Sequence, residues 1–175
     1  STGNVGLGSI NLTAAACVAP TTQTSSTSLG SPTSAGLTAS WSRGNGDGTL
    51  TVLRPTAQAI TAPSSGTSYT GNTAWGSAAQ INTNNRVVAS GAGTSVAVTG
   101  LTAATSYTAT TYEYNTTGNC YNLTSPISSS SVFTLSTAPS GNPSSFSASA
   151  VDQNNISLSF SAPSTVSASG YLIFQ

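Results

Sequence analysis

Apolar and polar side chains alternate in short runs along most of the chain. In "GLTASWS" (36–42), Leu37, Ala39 and Trp41 share one parity, which is the signature of a strand with one buried face. "TLTVLR" (49–54) follows as a second strand after a glycine-rich turn. "RVVAS" (86–90) and "TSVAVTG" (94–100) come next, separated by a G-A-G turn. "TSYTATTYEYN" (105–115) is the longest strand candidate, and "SSVFTLST" (130–137) closes the set. No segment carries apolar residues at i, i+3, i+4 and i+7 with good helix formers between them. Short strands spaced by Gly, Pro, Asn and Ser turns predict an all-β protein, an antiparallel sandwich or barrel.

The same pattern divides the chain. Residues 1–16 are small and polar, with two weakly apolar beads in "VGLGSI", and read as a linker or the tail of a preceding repeat. The body runs over 17–137. A second unit, 138–175, begins after "TAPSGNPSS": "SFSASA" and "NISLSFSAP" repeat the first two strands of the body, with Phe160 where Trp41 stood. "SGYLIFQ" starts a third strand and stops. A sandwich needs roughly 90 to 100 residues, so this second unit is an incomplete sandwich. It is expected to be cut from a longer chain, the rival being strands supplied by a neighbouring chain.

Composition changes the picture by what it removes. The chain of 175 residues has three arginines, three acids and no histidine, and only 3% of it is charged, against about 25% in ordinary soluble proteins. Hydroxyls, amides and backbone must supply its polarity. A net charge of zero gives no steering towards nucleic acid or anionic membrane. No run of 18 or more apolar residues encodes a membrane span. No signal peptide is visible, and the sequence reads as a mature form or an excised piece. Alternating aromatic and β-branched residues argue for folding rather than for a disordered Ser/Thr-rich linker.

"LTASW", "GLTAATSYTATTYEYN" and a shorter closing strand resemble the fibronectin type III domain, an immunoglobulin-like sandwich. That resemblance implies that Trp41 is the second-strand tryptophan of the inter-sheet core. It implies equally that Leu101 and Tyr107 form a tyrosine corner, the phenol bonding back to backbone near the turn. Phe160 and Tyr171 fall at the corresponding second- and third-strand positions of the second unit. More narrowly, "GNGDGTLTVLRP", "GTSYTGNTAWG", "RVVASGAGTSVAVTGLTAATSYTATTYEYN" and "NCYNLTSP" resemble a variant repeated in large secreted and cell-surface proteins of Bacteroidetes-type bacteria. Many of those proteins leave the cell by type IX secretion and serve in adhesion or gliding, or as spacers in secreted hydrolases. The chain departs from that pattern in lacking lysine and in placing Thr and Ala where bulkier strand residues are usual.

Cys17 and Cys120 are the only cysteines. An even count in an extracellular protein favours a disulfide, which here would pin the start of the body to a loop after its longest strand. Two free thiols are the alternative.

Candidate chemistry is sparse. The "NGDG" of 45–48 resembles a calcium loop, but aligning Asn45 and Asp47 to ligand positions 3 and 5 puts Arg43 at position 1 and Arg54 at position 12. Two cations stand where carboxylates must bind, so a hairpin turn is expected: glycines for backbone freedom, and Asp47 capping through its own backbone. Without histidine no Ser-His-Asp or Cys-His arrangement can be built. A carboxylate pair would need Asp47, Glu113 and Asp152, and Asp152 sits in a polar turn. Glu113 shares the parity of Tyr107 and is expected to face partly inward, as an ion-pair partner of Arg54, Arg43 or Arg86. "GAGTSVAVTG" lacks the lysine and helix of a phosphate loop. Asn11, Asn115, Asn122 and Asn155 fit N-x-Ser/Thr, incidentally in so hydroxyl-rich a chain.

Trp75, in the long connection, and Tyr121 are candidate ligand contacts for sugar rings; the competing reading of Trp75 is a plug over the sandwich edge. The sequence predicts a non-catalytic structural or spacer repeat of a surface stalk or adhesin, with no metal and no cofactor. Its expected partners are neighbouring repeats and the secretion machinery. The alternative is a polysaccharide- or surface-binding module, accessory to a secreted hydrolase.

Overall fold

The computed structural model describes residues 17–138 and 141–163. The expectations for 1–16, Asn11, Tyr171 and "SGYLIFQ" lie outside these residues. The chain divides into two compact units, Ser1–Leu135 and Ser136–Gln175.

In the first unit, β1 (Ser26–Gly30), β2 (Gly36–Ser42) and β6 (Ser95–Thr99) form one antiparallel sheet in the order β1-β2-β6. The second sheet runs β10-β7-β3-β5-β4, from β3 (Gly48–Pro55), β4 (Gln80–Asn82), β5 (Asn85–Gly91), β7 (Ser106–Asn115) and β10 (Val132–Phe133). The two-residue strands β8 (Cys120–Tyr121) and β9 (Ile127–Ser128) also pair with β7. The chain changes sheet between β2 and β3, between β5 and β6, and between β6 and β7. Two antiparallel sheets exchanged in this way are the fibronectin type III or immunoglobulin-like sandwich.

The predicted hairpin at 43–48 is therefore not formed. β2 and β3 belong to different sheets, and the loop between them crosses from one layer to the other at the end of the sandwich.

Parity decides what fills the interior. Leu37, Ala39 and Trp41 of β2 point at the second sheet and meet Leu53, Val88, Tyr107 and Ala109, with Val98 and Leu101 completing a buried cluster. The hydroxyl of Tyr107 accepts from the backbone N–H of Thr102 at 3.1 Å, the tyrosine-corner bond.

β7 is buried on both faces from Tyr107 to Tyr114. Its other parity, Tyr112 and Tyr114, joins Leu50, Val52, Val87 and Tyr121 in a second cluster, against which Tyr69 and Ile81 pack. The irregular connection between β3 and β4 covers this outer face. Asn85 ties that connection down, accepting from Thr61 N–H and donating to Ala59 O, both at 3.0 Å.

Among the described residues of the second unit, β11 (Ser144–Ala150) and β12 (Ile156–Ser161) form an antiparallel hairpin. Its turn is held by Asp152, whose carboxylate accepts from Asn154 N–H at 2.8 Å and from the Asn155 side chain at 2.8 Å. Asn155 and Asn154 hold that carboxyl below its usual range. Register and alternation put Ala148, Ala150, Ile156, Leu158 and Phe160 on one face and Ser147, Ser149, Ser157 and Ser159 on the other. Ile156 is 70% exposed and Phe146 62%, whereas Phe160 is half-buried.

Candidate functional site

The densest polar cluster lies where the crossing loop closes the sandwich. Glu113 sits on β7 opposite Thr49 of β3 and is fully buried. Its carboxylate accepts from Gly44 N–H at 2.9 Å, Gly46 N–H at 3.0 Å and the Thr49 hydroxyl at 2.6 Å. Arg43 Nη2 stands 3.7 Å from Oε2 and donates to the Gly46 carbonyl. A buried carboxylate keeps its charge only with donors of this kind around it.

Of the three arginines weighed as partners, Arg43 reaches Glu113. Arg54 instead donates to Gln58 O at 3.0 Å. Arg86 donates to Ala78 O at 2.9 Å and lies over the Trp75 ring, 5.3 Å from its centroid.

The glycines of this loop act through missing side chains rather than left-handed backbone. None of Gly44, Gly46 and Gly48 has a positive φ. A Cβ on Gly44 would overlap the Thr22 carbonyl, and one on Gly46 would come 2.8 Å from Oε2 of Glu113. Asp47 does not cap its own turn: Oδ2 accepts from both the N–H and the hydroxyl of Thr116, each at 2.9 Å. Those two donors hold the Asp47 carboxyl below its usual value of 3.8.

Residues without any periodic signal complete the cluster. Gln23 accepts from Glu113 N–H at 2.7 Å and donates to Asn122 O at 2.9 Å. The Thr111 hydroxyl meets those of Thr24 and Thr27, each at 2.7 Å. Only their joint placement by the fold exposes this role.

Cys17 and Cys120 form a disulfide across 103 residues of sequence. It fastens the start of the described chain to the strand paired with the end of β7. Such bonds persist in oxidising compartments.

The two aromatic residues proposed as ligand contacts sit differently from that expectation. Tyr121 is not at the surface but only 3% exposed. Its hydroxyl donates to Thr67 O at 2.9 Å, and its ring lies 5.4 Å from Tyr114 and 5.9 Å from Tyr69. Burial, helped by those two phenols, pushes its pKa up to about 12. Trp75 is half-buried, edge-on to Tyr107 at 5.5 Å and covered by Arg86. It closes the edge of the apolar core.

Among the described residues no group of three His, Cys, Asp or Glu side chains is placed to hold a metal ion. No helix among them is long and apolar enough to cross a membrane.

No family model matches the sequence, and no curated protein matches it. Among solved structures, the chain is similar to the crystal structure of domains A168-A170 from titin, with a TM-score of 0.43 and 12% identity over 65% of this chain. The match spans 32% of the titin chain. Strand order and sheet pairing, rather than this likeness, carry the fold assignment.

Proposed function

We propose that this chain is a non-catalytic spacer, a sandwich module strung with others in a secreted or cell-surface stalk or adhesin. One observation carries the reading: the acids of the described chain are committed to structure. Glu113 is saturated by the loop it holds, Asp47 by Thr116, and Asp152 by its own turn. General acid–base work requires a carboxyl within reach of a substrate proton.

The second unit supports a serial arrangement. Its strict Ser/apolar alternation repeats that of β2, and we read residues 138–175 as the first part of another sandwich with neighbouring repeats as partners. The sequence resemblance favours export by type IX machinery in an adhesive or gliding context, and the disulfide suits an extracellular location. Electron microscopy of the native protein tests the proposal. The expected image is a string of beads of sandwich size; one compact globule with hydrolase activity in the purified chain would refute it.

A further inference from the structure

The crossing loop holds the single Asn-Gly step of the chain, Asn45–Gly46; every other asparagine precedes a residue with a side chain. Asparagine before glycine is prone to cyclise onto its own backbone, because no Cβ on the next residue hinders the approach of that residue's nitrogen. Packing makes the step unavoidable here. A Cβ on Gly46 would stand 2.8 Å from Glu113 Oε2, 2.8 Å from the Tyr114 carbonyl and 2.9 Å from the Pro20 ring. The fold admits only glycine after Asn45.

The same fold restrains the atoms that would react. Residues 17–24 form a strap fastened at Cys120, Asn115, Asn45 and Glu113. Asn45 Oδ1 accepts from Thr22 N–H at 2.8 Å, and its Nδ2 donates to Thr21 Oγ1 at 2.9 Å. Its own N–H donates to Thr22 O at 3.3 Å. The attacking atom would be Gly46 N, whose N–H donates to Glu113 Oε2 at 3.0 Å. To attack, that nitrogen must shed its proton and become an anion beside a carboxylate, which like charge opposes. Asn45 is exposed, so water reaches it. These bonds guard it, not burial.

We propose that Asn45 is a deamidation site gated by release of the strap and crossing loop, and that its conversion marks a module that has once unfolded. In the opened loop, Gly46 N loses its proton to solvent hydroxide and its lone pair bonds to Asn45 Cγ. The Cγ–Nδ2 bond breaks, and Nδ2 takes a proton from water and leaves as ammonia. Water then opens the succinimide ring at either carbonyl, giving aspartate at 45 or its iso form, in which the main chain runs through Cγ. The iso form adds a methylene to the backbone beside Gly46, where Glu113, Tyr114 and Pro20 leave no room. Gly46 N–H then cannot return to Glu113. This goes beyond the spacer reading and does not depend on it.

The full chain, disulfide intact, is held in mildly alkaline buffer with and without an unfolding concentration of guanidinium chloride. Peptide mass spectrometry with electron-transfer fragmentation follows aspartate and isoaspartate at position 45, apart from isomerisation at Asp47. Conversion is expected to be at least about tenfold faster in denaturant, since the native chain reacts only through its open fraction. Thr21→Val, at an exposed position, removes the partner of Nδ2 and should raise the native rate severalfold while leaving the denatured rate unchanged. After refolding by dilution, the isoaspartate fraction should unfold at lower denaturant than unmodified chains of the same sample. Native conversion as fast as denatured conversion overturns the gate, as does a native rate that Thr21→Val does not raise. Isoaspartate chains of full stability overturn the mark.

Discussion

The interior between the two sheets has two halves built on the same strands. Towards Tyr107 it is filled by shape: Leu37, Trp41, Leu53, Val98 and Tyr107 interlock with one polar atom satisfied at the corner. Towards Glu113 it is filled by hydrogen bonds: the Thr49 hydroxyl and two amides of the crossing loop meet one carboxylate, and the Thr24 and Thr111 hydroxyls meet each other. Both halves are buried. The difference is that apolar packing is non-directional and tolerates substitution by similar volume, whereas the polar half depends on each donor finding its acceptor.

The largest effect should come from emptying the polar half. Glu113→Ala leaves Gly44 N–H, Gly46 N–H and the Thr49 hydroxyl without their acceptor, and should lower unfolding free energy by about 3–5 kcal/mol in urea titrations. Removing a comparable anchor from the apolar half, Leu53→Ala, should cost about 2–5 kcal/mol. The contrast sharpens with gentle changes: Leu53→Met should cost under about 1.5 kcal/mol, whereas Glu113→Gln, of equal size, should still cost about 1–3 kcal/mol because an amide cannot accept from all its donors. Equal costs for these two would erase the distinction. Tyr107→Phe, which deletes only the corner bond, should cost about 1 kcal/mol by the same measurement.

The smallest effect concerns Asp47, on the outer side of the crossing loop. Its folded pKa is depressed by Thr116, so the stability it adds is present above its ordinary value of 3.8 and is lost as pH falls through the lower folded value. A melting-temperature series should show a slight loss below about pH 4, absent in Asp47→Asn.

How far the sequence discloses these halves depends on periodicity. The alternation of β2 and β7 marks Trp41, Tyr107 and Glu113 as one inward-facing set, because parity is a local property of a strand. The second core carries no such mark: its lid, the connection between β3 and β4, has no period, and in sequence Tyr121 is indistinguishable from an exposed loop aromatic. β1 is equally unmarked: "STSLG" carries a single large apolar residue, and pairing with β2 rather than its own pattern makes it a strand. For Glu113 the sequence suggested a choice among three cations. It could not suggest that two backbone amides would stand nearer to it than any guanidinium, since every residue carries one and only the sheet crossing brings these two to it. The glycines of 44–48 predict a hairpin that the fold does not form, because the missing side chain that admits a close neighbour looks, in sequence, the same as the freedom to turn back.

The disulfide has a mechanical consequence for a module pulled from both ends. Tension entering at Cys17 would cross to Cys120 through two sulfurs, and the chain between them, a sequence separation of 103, would carry none of it. Only the stretch from Tyr121 to Leu135 would be left to extend. With the bond reduced, forced unfolding of the module would release a hidden length of roughly 350 Å, so the redox state of the surroundings would set how far this bead extends once it yields.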